Sequence, residues 1–370
     1  MSRLGILFSG ALLLSGGCPM FAAEYAVGTC KPTLPSYPNI SAAVSSAAAG
    51  STVLVCPGIY AEQVVISKPL TLEGISNGTS AQAVITVPGG GLPTLTSLLF
   101  GTVSPQLSVT AGPVNITNIT VDGSAFGGDS CTTILPGIYY GSGSSGTVNE
   151  VTVRNENNSN CGFGILTENE TGPNDLVTIE SSSIHDFDYV GIWVDSFLSP
   201  GALTAAIKNN YIDGGVTGIY IQSGTLGSVT GNLVAAASQT AIFASSAVSV
   251  SSNAVTNSQA GIWIQEPGIS VTANKLSNDY VGIEFFESSG MTVKSNTIVN
   301  STVGIEVDCN AGNTVSRNVI NDATTGLDFV PSGSNPSDTF LNVATTRTEG
   351  CAAAQPGAKS PPNPLNRHRD

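Results

Sequence analysis

The stretch NAVTNSQAGIWIQEPGISVTA, residues 253–273, is followed directly by NKLSNDYVGIEFFESSGMTVKS, residues 274–295. Both segments begin with Asn, carry an aliphatic residue two positions later, and then reach a Gly-Ile pair. Their lengths of 21 and 22 residues fall in the range of one turn of a solenoid, in which each repeat stacks on the next. These two segments therefore predict a repeat protein.

The same repeat extends along the chain in both directions. One ladder is made of asparagines, namely Asn210, Asn232, Asn253, Asn274, Asn296 and Asn318. A second is nearly all glycine, each followed by a large aliphatic residue: Gly137, Gly164, Gly191, Gly218, Ala241, Gly261, Gly282, Gly304 and Gly326. We expect the amides to stack along the axis and the aliphatic residues to form the core. Glycine would serve either a positive φ or a close approach of two backbones.

The repeat predicts an all-β protein, a single right-handed parallel β-helix of roughly 10–12 rungs. Composition agrees, because 42 Gly and 20 Pro in 370 residues disfavour long helices. One short Ala-rich helix is expected from Ile40 to Ala49, with Asn39 or Ser41 as its cap and Gly50 at its end. It would cover the open end of the solenoid. We divide the chain into a signal peptide at 1–23, the capped β-helix at 24–330 and a partly disordered tail at 331–370.

Over residues 36–330 the chain resembles the right-handed β-helix proteins of the pectate-lyase-like superfamily. Residues 40–66, ISAAVSSAAAGSTVLVCPGIYAEQVVI, resemble the opening of many such proteins, including pectin methylesterases. Only the first esterase motif is matched, by Gly58–Glu62; the later motifs, with two catalytic Asp residues, a Gln and an Arg-Pro-Trp segment, are not found. The polygalacturonase motifs and the Arg-rich site of pectate lyases are also absent. The resemblance implies the fold and no particular active site.

The N-terminus predicts export. A single charged residue, Arg3, precedes an apolar run from Leu4 to Leu14, and small residues continue to a cleavage position after Ala23. The protein would then be secreted, periplasmic or extracellular. The alternative is a lipoprotein signal in which Cys18 is acylated and anchors the chain. After the signal no 18-residue apolar run follows, so we expect no integral membrane segment.

Six cysteines remain after residue 23, and an even number in an exported chain indicates disulfides. They fall into three couples that are close in sequence. We predict the bridges Cys30–Cys56, Cys131–Cys161 and Cys309–Cys351. Zinc is the alternative, but no close Cys-x-x-Cys pair or neighbouring His accompanies them.

Side chains that alternate along a strand place two columns on the outside of the solenoid. The residues two positions after the ladder glycines form an aromatic stripe that ends in acids: Tyr139, Leu166, Trp193, Tyr220, Phe243, Trp263, Glu284, Glu306 and Asp328. The next outward column includes Asp195, Gln222 and Gln265. Aromatic rings beside amides and carboxylates are typical of a sugar-binding groove. We therefore predict substrate binding by Tyr139, Trp193, Tyr220, Phe243, Trp263, Asp195, Gln222 and Gln265. The alternative is that the rings simply pack against their rung neighbours.

The acidic end of the stripe allows three interpretations. Glu284, Glu306 and Asp308 could catalyse glycan cleavage, because crowded carboxylates provide both a general acid and a base. Glu284, Glu306 and Asp328 could instead bind Ca²⁺, although no cofactor is required. A solvated acidic edge is the third interpretation. His185 beside Asp186 offers a further acid–base pair, for which a simple turn position is the alternative.

The charge balance restricts the partner. Twelve Lys and Arg against 26 Asp and Glu give a net charge of −14, so a nucleic acid is excluded. We expect a monomer that binds, and in one interpretation modifies, a polysaccharide or cell-surface glycan. If it is an enzyme, it is a hydrolase or lyase. The alternative is a structural or surface-adhesion solenoid without chemistry.

Overall fold

The computed structural model describes residues 22–76, 82–127, 131–172, 174–285, 289–308, 312–330 and 339–344. Over these residues the chain coils into a parallel β-helix with up to three short strands per turn. Each strand pairs in parallel with its counterpart one turn further on, about 4.8 Å away. Crossovers between parallel strands are right-handed, which sets the hand of the coil. The predicted fold is confirmed.

Sheet A contains one strand from each of eleven rungs, a number inside the predicted range. Its strands carry the ladder glycines and the outward stripe. They are Val64–Ile66, Leu107–Val109, Leu135–Tyr140, Gly162–Glu168, Val190–Asp195, Thr217–Ile221, Thr240–Ala244, Ala260–Ile264, Val281–Phe285, Val303–Asp308 and Thr325–Val330.

Sheet B contains the strands that lead into the asparagine ladder, and sheet C contains those that leave it. The strands of sheet B are Glu24–Val27, Ser36–Tyr37, Ser51–Val55, Leu70–Gly74, Val114–Thr117, Gly146–Asn149, Asp175–Glu180, Leu203–Lys208, Leu226–Thr230, Ser249–Ser251, Ser270–Thr272 and Thr292–Lys294. Those of sheet C are Gly58–Ala61, Ala83–Thr86, Ile119–Asp122, Thr152–Arg154, Ser183–His185, Tyr211–Asp213, Leu233–Ala235, Ala254–Thr256, Lys275–Ser277 and Thr297–Val299.

Two further segments complete the strands. Thr314–Asn321 pairs with both sheets and joins them at the C-terminal end, and Thr339–Ala344 pairs in parallel beside it. The sheet therefore continues past the predicted boundary at residue 330. An antiparallel hairpin, Leu95–Ser97 with Gly101–Val103, leaves the early rungs as a separate two-stranded sheet.

The asparagine ladder forms as predicted. Asn232 Nδ2 donates to Asn253 Oδ1 and to Ile207 O, at 3.0 Å each, and the Asn232 backbone N–H donates to the same Asn253 oxygen at 2.9 Å. This pattern repeats from Asn210 to Asn318. The residue before each ladder asparagine is left-handed, for example Ser252 at φ 57°. The buried amides thus bond the backbone groups that each turn would otherwise leave unpaired.

The ladder glycines serve a close approach rather than a positive φ. A Cβ on Gly282 would lie 2.5 Å from Gly304 O and 2.7 Å from Ile298 Cγ2. Both distances are shorter than side chains tolerate, so the adjacent rung leaves no room for a side chain at Gly282. Of the two predicted roles, this is the one observed.

The N-terminal end is closed by the expected helix, which spans Ile40–Ser46. Asn39 is its cap and accepts a hydrogen bond from the Ala42 N–H at 2.8 Å. Ser41 instead donates its N–H to the Glu62 carboxylate, at 2.9 Å. Ile40, Ala43 and Val44 are buried in the solenoid core. The helix therefore covers the first rungs, ending earlier than the predicted Ala49.

Two of the three predicted disulfides are present, Cys30–Cys56 and Cys131–Cys161. The third pair, Cys309–Cys351, lies outside the described residues, as does Cys18 with most of the predicted signal peptide. Both observed bridges fall in the first half of the chain, where loops interrupt the regular repeat.

Candidate functional site

The outer column of sheet A is the candidate site. Hydrogen-bond register aligns the predicted residues rung by rung, in the order Tyr139, Leu166, Trp193, Tyr220, Phe243, Trp263, Glu284, Glu306 and Asp328. The aliphatic residues before them, such as Ile192 and Ile262, belong to the solenoid core. The aromatic residues form a second, separate hydrophobic cluster. The column therefore lies on the outer face, as the alternation predicted.

The aromatic rings of this column cover one another. Trp193 stacks on Tyr220 with centroids 4.1 Å apart and an interplanar angle of 18°, and Tyr220 stacks on Phe243 at 4.5 Å and 19°. Trp263 meets Phe243 edge to face at 5.1 Å. Only 4% of Trp193 and 9% of Trp263 are exposed. The rings therefore do not offer open faces to a sugar. They pack against their rung neighbours, as in the alternative interpretation.

A hairpin outside the solenoid covers the N-terminal part of the column. The ring of Phe100 lies 5.1 Å from that of Trp193 and 5.7 Å from that of Phe163, both edge to face or nearly so. Ser97, in the same hairpin, donates to Glu168 Oε2 at 2.6 Å, and the Leu98 N–H donates to Glu168 Oε1 at 3.2 Å. Tyr139 also donates its hydroxyl to Glu168. Tyr139 is thereby held in a polar contact beneath the hairpin.

The C-terminal part of the column, after Trp263, is more open. Glu284, Glu306 and Asp328 follow Trp263 on consecutive rungs and are all partly exposed. Burial, and then the charge of Glu306, raise the pKa of Glu284 to about 7. Burial and the charge of Asp328 raise the pKa of Glu306. Near neutral pH, Glu284 therefore exchanges between acid and base forms beside a second carboxylate.

Asp308 is in the same strand as Glu306, with its backbone aligned to Val330. Its side chain lies outside what the structure describes, so its catalytic role stays a prediction.

The second outward column divides into buried and open residues. Asp195 has no exposed surface, whereas Gln222 and Gln265 are partly exposed. Trp193 Nε1 donates to Asp195 Oδ2 at 3.0 Å, and the Phe197 N–H donates to Oδ1 at 2.8 Å. Asp195 is thus hydrogen-bonded within the protein and is not exposed in a groove. Gln222 and Gln265 keep positions from which they could contact a ligand.

Sequence reasoning missed Glu170. Its Oε2 accepts the Leu198 N–H at 2.6 Å, and its carboxyl group contacts that of Asp195. The pKa of Asp195 is raised to about 8, first by burial and then by Glu170. The signal was present as two glutamates at alternate positions, Glu168 and Glu170, but the second lies beyond the end of its strand.

The His185–Asp186 pair is remote from the column. Its Nδ1 and Oδ2 atoms are 2.6 Å apart on the exposed surface at the end of a sheet C strand. Asp186 has a positive φ of 56°, as turn residues at this corner do. The pair therefore lies at a turn, as in the alternative interpretation.

No group of three or more His, Cys, Asp or Glu side chains within the described ranges is arranged to hold a metal ion. In the same part of the chain, no helix is long and apolar enough to cross a membrane.

Comparison with known proteins places the fold. A family model described as a right-handed β-helix region matches residues 238–352. The A-module of mannuronan C-5 epimerase AlgE6 from Azotobacter vinelandii aligns with a TM-score of 0.50 at 16% identity, covering 85% of this chain and 95% of that one. The Dettilon tailspike protein aligns with a TM-score of 0.57 at 12% identity, covering 80% of this chain and 62% of that one. No curated protein matches the sequence. The chain therefore has a right-handed parallel β-helix fold.

Proposed function

We propose that the protein is exported and binds a polysaccharide on the outer face of sheet A, around Trp263, Glu284 and Glu306. The observation that carries this proposal is the unbroken register from the aromatic ladder into the carboxylates. The rigid ladder forms a wall above the site, and the carboxylates provide acceptors for sugar hydroxyls. Gln265, one strand position beyond Ile264, adds an amide at the same level.

Two further observations support the proposal. Disulfides such as Cys30–Cys56 are typical of proteins that fold outside the cytosol. The structurally similar A-modules include one named as a mannuronan epimerase, so the fold is used elsewhere on a polysaccharide. The consecutive rungs also suit a polymer, because the same type of side chain recurs about every 4.8 Å along the axis.

The carboxylates also support cleavage of the bound glycan. Residues on adjacent rungs are about 4.8 Å apart at the backbone, near the carboxyl separation of about 5–5.5 Å in retaining glycosidases. Glu284, with its pKa about 7, would protonate the leaving oxygen as the glycosidic bond breaks. Glu306 would attack the anomeric carbon, and water activated by Glu284 would then release the sugar. Asp308 is the alternative base, at the wider separation of an inverting enzyme.

The test is a glycan-array and affinity-gel screen of the purified protein, with and without Ca²⁺. Truncating Trp193 to Ala would remove a buried ring and confound binding with folding. We therefore choose Trp263→Phe, which keeps a ring against Phe243, combined with Glu284→Gln. Tyr211→Ala is the matched control, because that ring is 40% exposed on sheet C.

Saturable binding that the paired substitution weakens at least tenfold, while Tyr211→Ala leaves it unchanged, is the expected result. Products from the bound glycan that vanish in Glu284→Gln would establish cleavage. A requirement for Ca²⁺ would support the calcium interpretation of Glu284, Glu306 and Asp328. No glycan bound by the folded protein would instead favour the structural or adhesion solenoid.

A further inference from the structure

The positively charged residues of the described strands are confined to two of the three faces. The eleven strands of sheet A contain no Lys, Arg or His. They do contain six acids: Glu168, Asp195, Glu284, Glu306, Asp308 and Asp328. The candidate site thus lies on a face whose strands contain acidic residues but no basic ones.

The Lys and Arg residues of the described strands all lie on the other two sheets, at Arg154, Lys208, Lys275, Lys294 and Arg317. Two of them are already used within the protein. Arg154 Nε lies 2.8 Å from Asp122 Oδ2, and Lys208 Nζ lies 2.8 Å from Glu180 Oε2. Lys68 follows a strand of sheet A, but its Nζ donates to Ser45 O in the N-terminal helix. The strands that carry the site therefore offer no cation to a carboxylated or sulfated sugar.

The same face holds polar atoms that lack a hydrogen-bond partner within the described part of the chain. Trp263 is more than nine-tenths buried, yet among the residues that the structure describes its Nε1 finds no hydrogen-bond acceptor, and Gln222 Oε1 finds no donor. A buried donor or acceptor without a partner is costly, so a ligand that bonds it gains affinity. Sugar hydroxyls both donate and accept, which matches an indole N–H, an amide oxygen and carboxylates together.

We propose that the polysaccharide bound at Trp263, Glu284 and Glu306 is uncharged, and that the site rejects polyuronates. This inference rests on the proposed function and specifies its substrate class. Each carboxylate of a polyuronate would approach Glu284, Glu306 or Asp328 in turn, and like charges at such separations repel. The protein would share its fold with a mannuronan epimerase module while taking a ligand of different charge.

The test uses pairs of oligosaccharides of equal length that differ only in a carboxylate at C6: mannan with mannuronan, galactan with galacturonan, and glucan with glucuronan. Binding is measured by calorimetry at low and at high NaCl. In any pair that binds, we expect the neutral member to bind at least tenfold more tightly at low salt. The difference should shrink at high salt, because salt screens repulsion between exposed charges.

A double variant, Glu284→Gln with Glu306→Gln, should reduce the discrimination within a pair. Its control removes two charges from sheet B, as Glu73→Gln with Glu180→Gln, and should leave the discrimination unchanged. A carboxylated oligosaccharide that binds as tightly as its neutral partner, or more tightly, would overturn the inference and leave the proposed function standing. Binding to neither member of any pair would overturn both.

Discussion

Asp195 and Glu170 bring two buried carboxyl groups together beside the aromatic ladder, and the nearness of Glu170 adds to the raised pKa of Asp195. Burial disfavours the charged form of a carboxyl group, and a second carboxyl group nearby disfavours it further. The raised pKa of Asp195, about 8, is the expected consequence. Because Asp195 also accepts the Phe197 N–H, and Glu170 the Leu198 N–H, the pair fixes the loop after that strand.

Replacing Glu170 with Gln should reduce the pH dependence of stability that Asp195 causes, while burial, the larger cause of its raised pKa, remains. The folded pKa of Asp195 lies above its ordinary value, so its contribution to stability is complete near pH 4 and is lost as pH rises through about 8. The side-chain amide introduced by Glu170→Gln would donate to Asp195 at every pH and still accept the Leu198 N–H. We expect the variant to be more stable than wild type at pH 9, by about 1–3 kcal/mol, with little difference at pH 5.

Urea unfolding at both pH values measures this difference. Glu180→Gln, which changes a partly exposed carboxylate on sheet B, is the control. Equal pH slopes for wild type and Glu170→Gln would show that the two groups share no proton.

Asn253→Ala should weaken the solenoid at its centre. The substitution removes the acceptor for the Asn232 N–H and side-chain amide, and the donor to Val229 O. Each buried group left unpaired costs about 1–3 kcal/mol, so we expect the free energy of unfolding to fall by about 3–5 kcal/mol. Asn257→Gly in the same rung, at an exposed position with φ 60°, is the matched control and should cost little. Similar losses in both variants would mean that the ladder adds no stability of its own.

Gly282→Ala should destabilise the fold through the contact of its Cβ with Gly304 O and Ile298. Overpacking of this kind costs about 1–3 kcal/mol. Gly90→Ala, where no atom lies within 4 Å of the added Cβ, serves as control and should stay within about 0.5 kcal/mol of wild type. Thermal unfolding of the two proteins measures the contrast. A wild-type melting temperature for Gly282→Ala would refute the close-approach explanation.

Glu306→Gln should lower the pKa of Glu284 below its value of about 7 while keeping it above the ordinary range. The charge of Glu306 is the second cause of the shift, and burial, the larger cause, remains. Carbon-13 NMR titration of the Glu284 carboxyl group measures this without any substrate. The alkaline fall of any hydrolytic activity should move by the same amount, since a general acid works only while protonated. Asp213→Asn on sheet C should leave the titration of Glu284 unchanged.

Sequence alone predicted most of the fold, because identical positions recur every 21 or 22 residues and a two-residue alternation assigns each side chain to a face. The column from Tyr139 to Asp328 followed directly. The stacking of its rings was not predicted, although the distance between rungs implies it. Aromatic residues on rungs about 4.8 Å apart lie close to ring-stacking distance, so Trp193 and Tyr220 cover each other's faces.

The buried acid pair was beyond the same reasoning. Glu170 follows the end of a strand, where alternation no longer fixes a direction. Its contact with Asp195 depends on a loop of the next rung that folds back over both residues. Likewise, the burial of Glu168 depends on a hairpin inserted earlier in the chain, at a sequence separation of 71 from Ser97. Neither contact can be predicted from the alternation of residues along a single strand.

The uniform spacing of Asn232, Asn253 and Asn274 means that each of these rungs is a segment of equal length. Excising residues 232–252 would join Gly231 to Asn253, put a left-handed residue before an asparagine as at other corners, and bring Tyr220 beside Trp263. Every column would keep its face. Such a molecule can therefore gain or lose whole turns in evolution, and each such change moves its carboxylates along the axis without rotating them away from the ligand.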